Sequence, residues 1–262
     1  MEKDRELPAN TPLSVHKRAV IVGASSGIGA ALARRLIDEG YFVALLARRV
    51  NEMERLADEI NSQAGEKKAL VYQHDVNDHE AIPGLFQTIL RELKGIDTLV
   101  YVSGAQYPTA FSEYNFDQDA ETIEVNLLGA VAWLGRAASF FEHLGDGQIV
   151  AVSSVAGDRG RVGNPAYHAS KAGLSTYLES LRNRLTRSGI NVLTVKPGFV
   201  DTETLRRNAK STFGVISPDK AAAGIWRAMR RRRQVVYLPG WWRWMMLVIR
   251  HIPSFIFRRL SF

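Results

Sequence analysis

The chain has 262 residues, 46% hydrophobic and 23% charged, a composition that closes a core without disulfides or metal and suits one α/β domain rather than two equal ones. Cysteine is absent, which excludes a disulfide framework, a thiolate-ligated metal site and a cysteine nucleophile, and agrees with a cytoplasmic setting. The net charge of +7 is uneven: residues 220–262 hold Lys220 and nine arginines with no acid, a local +10 that leaves −3 for the rest. The basic character therefore belongs to a tail, and nucleic-acid binding is not expected.

In chain order, residues 1–16 mix charges with Pro8 and Pro12 and lack an apolar run of signal-peptide length. They read as a flexible arm, with secretion not expected. A catalytic domain is expected over 17–240 and an amphipathic tail over 241–262. Apolar, β-branched runs of strand length recur at 19–22, 42–46, 69–72, 98–102, 149–152, 192–195 and 235–238. Between them apolar residues recur at helical spacing, as in Met53, Leu56, Ala57 and Ile60. Continuous apolar strands alternating with helices predict an α/β fold: a Rossmann-type, doubly wound parallel sheet of about seven strands, helices on both faces, and ligands at the carboxyl edge.

Directly after the first strand comes Gly23-Ala24-Ser25-Ser26-Gly27-Ile28-Gly29, followed at once by a helix. A strand-to-helix turn offers unpaired amides and the positive end of the helix dipole to a phosphate, and missing Cβ atoms let the backbone approach it. Gly23, Ser25, Ser26, Gly27, Ile28 and Gly29 are thus candidate contacts for a dinucleotide pyrophosphate, against the plainer reading of a tight packing turn. About 20 residues on, where an NAD enzyme places an acid for the ribose 2′-hydroxyl, the second strand ends in Arg48-Arg49. Two guanidiniums suit a 2′-phosphate, so NADP(H) is favoured over NAD(H); the alternative is that both merely open the next helix into solvent. Asp75 and Val76, past the third strand, would lie near an adenine ring, though Asp75 also reads as a helix cap.

Tyr167 and Lys171 stand four apart on one helix face, and Ser154 ends the fifth strand, so all three should emerge at the cofactor's edge. A phenol with a free pKa of about 10 needs a cation to exchange protons near neutrality. Lys171 is expected to supply it, and Ser154 to donate a hydrogen bond to a carbonyl oxygen as charge develops there. The implied chemistry is hydride plus proton transfer.

On these motifs the chain, from about residue 17 to 238, resembles the short-chain dehydrogenase/reductase family, single-domain type. The resemblance assigns Gly23, Gly27 and Gly29 to the family's glycine motif and Asp75 to its adenine contact. Ser154, Tyr167 and Lys171 become its triad, and Pro197-Gly198 with Thr202 its Pro-Gly-x-x-x-Thr segment, in which Val200 also lies. It further implies that Asn126 is a fourth catalytic residue, kinking a helix and holding a water in a proton relay through the lysine. Asn126, Tyr167, Lys171, Pro197, Gly198, Val200 and Thr202 then join the cofactor contacts. Where the family reads Asn-Asn-Ala-Gly after the fourth strand, this chain has Tyr101-Val102-Ser103-Gly104; only Gly104 matches, which bears on cofactor contacts rather than catalysis. Family members commonly form homodimers or homotetramers, and the same is expected here.

His168, His74, His79 and His143 share no metal-ligand spacing, so no metal is expected. His168 either lines the cleft or serves structure, and Asp201 reads as a cap for the following helix. Residues 199–217 form a loop where a substrate lid would lie; Phe199, Leu205 and Phe213 either meet an apolar substrate or pack the lid. The tail holds Trp241, Trp242 and Trp244 among arginines and is too short and interrupted to span a bilayer. It is expected either to lie on an anionic membrane surface, helped by the run Arg230 to Arg233, or to pack on a partner subunit or over the cleft. The expected activity is NADP(H)-dependent interconversion of a carbonyl and a secondary alcohol. The substrate would be lipid-like (3-oxoacyl, 3-ketosphingoid or sterol) if the tail meets membrane. The alternatives are a dinucleotide-binding regulatory protein, or a membrane-recruited binding module, without turnover.

Overall fold

The computed structural model describes residues 17–110, 112–208 and 214–260; the arm expected over 1–16 and the lid residue Phe213 lie outside them. The strands are β1 (Arg18–Val22), β2 (Phe42–Ala47), β3 (Ala69–Gln73), β4 (Thr98–Tyr101), β5 (Gln148–Val152), β6 (Asn191–Pro197) and β7 (Val235–Leu238). They pair in parallel in the order β3-β2-β1-β4-β5-β6-β7. Each lies within two residues of an apolar run in the sequence. Helices α1 (Gly27–Asp38), α2 (Val50–Ala64), α3 (Ile82–Glu92), α4 (Phe116–Ile123), α5 (Gly129–Leu144), α6 (Pro165–Leu185), α7 (Glu203–Asn208) and α8 (Pro218–Arg230) make the connections, and α9 (Trp242–His251) and α10 (Ser254–Phe257) follow β7.

The strands are buried on both faces because successive side chains alternate between two layers. Ala19, Ile21, Val43 and Leu45 pack with Leu32 and Leu36 of α1, Met53 and Ile60 of α2, and Ile225 and Met229 of α8. Val20, Val22, Ala44 and Leu46 pack on the other side with Phe86 of α3, Trp133 and Phe141 of α5, and Leu174 and Leu178 of α6. Because β2 and β3 lie to one side of β1 and β4 to β7 to the other, the strand order reverses between β1 and β4, and the crevice opens above that point.

Topology corrects one expectation about the tail. The arginines at 230–233 precede β7, at the amino edge of the sheet, whereas α9 follows β7 at the carboxyl edge. A strand separates them, so they do not form one basic surface with the tail. Arg232 is instead tied to the Gly189 carbonyl and faces Asp146 at 3.9 Å.

Candidate active site

The carboxyl-edge crevice is a cleft of roughly 1730 Å³ that gathers most of the residues singled out in the sequence. Gly23, Ser25, Ser26, Gly27 and Ile28 line one end, with Arg48, Arg49, Val76 and Gly104. Ser154, Tyr167, Lys171, Pro197, Gly198, Val200 and Thr202 line the other. Gly29 packs beneath its turn, Asn126 stands behind the cleft wall, and Asp75 faces a smaller adjoining depression with Arg48.

The turn after β1 is open to an anion for reasons of backbone geometry. Gly23 has φ +99°, and a Cβ there would stand 2.5 Å from the Ser103 amide nitrogen. A Cβ on Gly29 would stand 2.1 Å from the Gly23 carbonyl oxygen, so any side chain would push the helix out of its seat. Ser26 begins α1, but its side chain makes no capping bond, and the first turn carries no acid. The helix therefore presents uncapped amides to the cleft, where a pyrophosphate fits. Arg49 lies over this turn, its Nη2 donating to Ser26 Oγ at 2.6 Å and Ser25 Oγ at 3.1 Å, with Glu203 at 3.2 Å. Arg48 has only loose acidic neighbours, Asp75 at 3.8 Å and Glu121 at 4.0 Å. Asp75 caps no helix: its Oδ1 accepts from the Asn77 amide in a local turn, and α3 starts later.

Asn126 sits in a π-helical turn, Glu124–Leu128, inserted between α4 and α5. Its Oδ1 accepts from the Ala105 amide at 2.7 Å, and its Nδ2 donates to the Ala105 carbonyl and to Ser170 Oγ. Extra residues in such a turn re-aim a side chain at the cost of regular bonding. Tyr101, standing where the family has its first asparagine, braces the same turn: its buried hydroxyl donates to the Val125 carbonyl at 2.5 Å. Gly104 lies between the two polar groups, since a Cβ there would stand 3.2 Å from Asn126 Oδ1 and 3.4 Å from Lys171 Nζ.

At the other end of the cleft, Ser154 Oγ accepts from the Ala156 amide at 3.0 Å and its hydroxyl bonds to the Tyr167 phenol. Burial pushes the Tyr167 phenol up from its ordinary value; the Ser154 hydroxyl and then the Arg161 guanidinium draw it back down. Lys171 Nζ, 5.9 Å from the Tyr167 ring centre, donates to the Val152 carbonyl at 3.1 Å, and burial pushes its pKa down to about 8. Arg161 escaped notice in the sequence, although it lies between Ser154 and Tyr167; only the folded loop aims it into the cleft. His168 lines the cleft, yet its Nδ1 is engaged with the Asn164 carbonyl at 2.8 Å. His74 serves structure, accepting from Trp133 Nε1 at 3.1 Å.

Helix α9 closes the cleft beside Phe199. Trp242, Met245 and Ile249 line the cleft beside Phe199, and Trp242 packs on Gly198 so closely that a Cβ there would stand 1.9 Å from its Nε1. That Nε1 is buried without a hydrogen-bond partner. Of the two lid residues that can be placed, Phe199 packs edge-on against Trp242, and Leu205 lines the cleft. Asp201 pairs with Arg206, and Thr202 Oγ1 accepts from the Leu205 amide, so Thr202 rather than Asp201 caps α7.

Comparison with known proteins identifies the family. The family described as short chain dehydrogenase matches residues 17–212. An uncharacterized oxidoreductase of Mycobacterium tuberculosis is 33% identical over 88% of this chain and 91% of that protein. The ketoacyl reductase HetN of a Nostoc species is 27% identical over 82% and 76%. Among solved structures, an actinorhodin polyketide ketoreductase variant with NADPH superposes with a TM-score of 0.78 at 25% identity, over 87% of this chain and 97% of that one. A 3-ketoacyl-(acyl-carrier-protein) reductase of Brucella melitensis with NADH shares the fold, with a TM-score of 0.73 at 23% identity over 81% and 90%. The chain belongs to the short-chain dehydrogenase/reductase family of oxidoreductases.

Proposed function

We propose that this oxidoreductase interconverts a carbonyl and a secondary alcohol with NADP(H), and that its substrate is an apolar, lipid-like carbonyl compound of the 3-oxoacyl kind. The observation that carries the reading is the convergence of Ser154, Tyr167 and Lys171 in the cleft that also holds the uncapped α1 turn and the Arg48–Arg49 pair. The turn would hold the pyrophosphate, the two arginines a 2′-phosphate, and the segment from Pro197 to Thr202 the nicotinamide end. When bound, the dinucleotide supplies or accepts the hydride. Ser154 donates to the substrate oxygen, Tyr167 delivers the proton there, and Lys171 and Arg161 hold positive charge beside the phenol as it becomes phenolate. Asn126, through Ala105 and Ser170, positions the wall behind Lys171.

Phe199, Trp242, Met245 and Ile249 give the substrate side an apolar wall, and two similar proteins carry ketoacyl or ketoreductase in their names. NADPH consumption with 3-oxoacyl thioesters of increasing chain length, beside short soluble ketones, tests the reading. The expected kcat/KM rises about tenfold or more from the shortest to the longest acyl chain, since each buried methylene is worth about 0.8 kcal/mol. Equal rates along the series would remove the lipid-like substrate while keeping the reaction.

The pH profile follows from burial. Reduction needs Tyr167 protonated and Lys171 charged, and both conditions fail as pH rises. Because Lys171 is pushed down to about 8, kcat/KM for reduction is expected to be level below that value and to fall above it. Initial rates from neutral to alkaline pH check this; a limb that instead declines toward acid would assign the proton transfer to another group.

A further inference from the structure

Helix α9 is apolar on two sides. Trp242, Met245, Met246 and Ile249 recur at positions i, i+3, i+4 and i+7 and face inward, Trp242 and Met246 being buried with Val155 against Phe199 and Tyr237. Trp244, Leu247 and Val248 recur at the same kind of spacing and face out, with Trp244 65% and Val248 67% exposed. Phe255 and Ile256 of α10 are also exposed. A surface helix normally buries its one apolar stripe and turns polar residues outward, so a second, exposed apolar stripe on the same helix marks an interaction surface.

The patch is held in place. Arg159, from the loop between Ser154 and Tyr167, donates through Nη1 to the carbonyls of Ile249 and Ile252, each at 2.6 Å, and its guanidinium stacks 3.8 Å from the Phe257 ring. Those bonds fix the C-terminal end of α9 and the start of α10 to the catalytic loop, so the outer stripe cannot roll inward without breaking them. Exposed Arg243, Arg250, Arg258 and Arg259 accompany the stripe, and residues 241–262 contain no acid.

That charge pattern selects the occupant. In a two-fold contact each subunit presents the same patch to the other, which would bring these arginines together with no carboxylate from the tail to answer them. An anionic lipid surface supplies the opposite charge that the tail lacks, while Trp244, Leu247, Val248 and Phe255 enter the boundary between headgroups and acyl chains. Among the described residues no helix is long and apolar enough to cross a membrane, so the segment lies along the surface.

We propose that the outer face of α9 and α10 docks this enzyme on anionic lipid, with the inner face of the same helix forming the wall of the catalytic cleft. The cleft then stands about one helix diameter, roughly 10 Å, from the lipid. Docking is independent of the reaction proposed above, because vesicle binding is read without turnover.

The test is co-sedimentation of the full-length chain with phosphatidylcholine vesicles containing about 30 mol% phosphatidylserine, against phosphatidylcholine alone, at about 0.1 M salt. The expected result is at least about tenfold stronger binding to the anionic vesicles, with release at about 0.5 M salt as charges are screened. Two double variants, Trp244→Ser with Val248→Ser and Arg258→Glu with Arg259→Glu, should each weaken binding about tenfold with an unchanged melting temperature and solution mass. Equal or absent binding to the two vesicle types overturns the proposal, as does retention at high salt. Variants that keep vesicle binding but lower the solution mass overturn it too, and assign the face to a second copy of the chain. If a variant fails to fold, the lipid and salt comparisons on the unaltered protein still decide.

Discussion

Replacing Tyr167 by Phe is expected to lower the rate of carbonyl reduction by about 10³-fold, within the range general acid catalysis supplies, while NADPH binding changes by less than about threefold. The ring stays in place and only the proton and its acceptor lone pairs leave. Among the described residues of the cleft, the His168 Nδ1 is engaged by the Asn164 carbonyl and Lys171 Nζ donates to the Val152 carbonyl. Initial rates and a fluorescence titration of bound NADPH separate the two effects. Turnover that survives the change would move the acid elsewhere, and loss of cofactor binding alongside turnover would make Tyr167 a structural residue. Unaltered protein that binds NADPH but turns over no carbonyl would favour the reading as a dinucleotide-binding protein without turnover.

The variant also probes how charge around the phenol is divided. Tyr167 and Lys171 were recognisable four apart on a helix, and the sequence assigned the tuning of the phenol to the lysine. In the fold burial raises the phenol, and the groups that draw it back down are the Ser154 hydroxyl and the Arg161 guanidinium rather than Lys171; the Arg161 Nη2 lies 3.9 Å from the Met246 sulfur of the tail helix. Spacing along a helix carries the first relation, because 3.6 residues per turn fixes which side chains share a face. No periodicity carries the second, since loop residues meet the helix only after the sheet has closed.

The same division runs through the molecule. The seven strands were legible because a sheet covered on both faces demands unbroken apolar runs, and the run at 149–152 needed no knowledge of its partners β4 and β6. The glycine turn was legible because missing Cβ atoms are written in the sequence. Tyr101 was visible only as a departure from the family's asparagine; its bond to the Val125 carbonyl depends on a π-turn that no propensity announces. The sequence of the tail leaves a membrane surface, a partner subunit and the cleft open as its contacts, and the fold shows why: its apolar residues occupy two stripes at once. A sequence gives both stripes but not which of them the body of the protein claims, and here the body claims Trp242 and Met246.

Arg48→Ala with Arg49→Ala is expected to raise the KM for NADPH by about 100-fold and that for NADH only a few-fold. A charge-assisted bond to phosphate is worth about 1.5–3 kcal/mol, a factor of about 10 to 100 for each guanidinium before screening, and a ribose 2′-hydroxyl gains almost none of it. Arg48 is 62% exposed and Arg49 49% at the side chain, so solvent reduces each share, and the combined effect rather than the product of two maxima is the expectation. The single variants should differ. Arg49 donates to both Ser25 and Ser26, so its loss also loosens the pyrophosphate turn and should cost NADH a few-fold. Arg48 touches no residue of that turn, and its loss should act on NADPH alone. The ratio of kcat/KM for the two cofactors, measured for all three variants, decides the matter. A ratio that stays constant would mean that the two arginines serve the surface around α2, and that the preference for the phosphorylated cofactor has another source or does not exist.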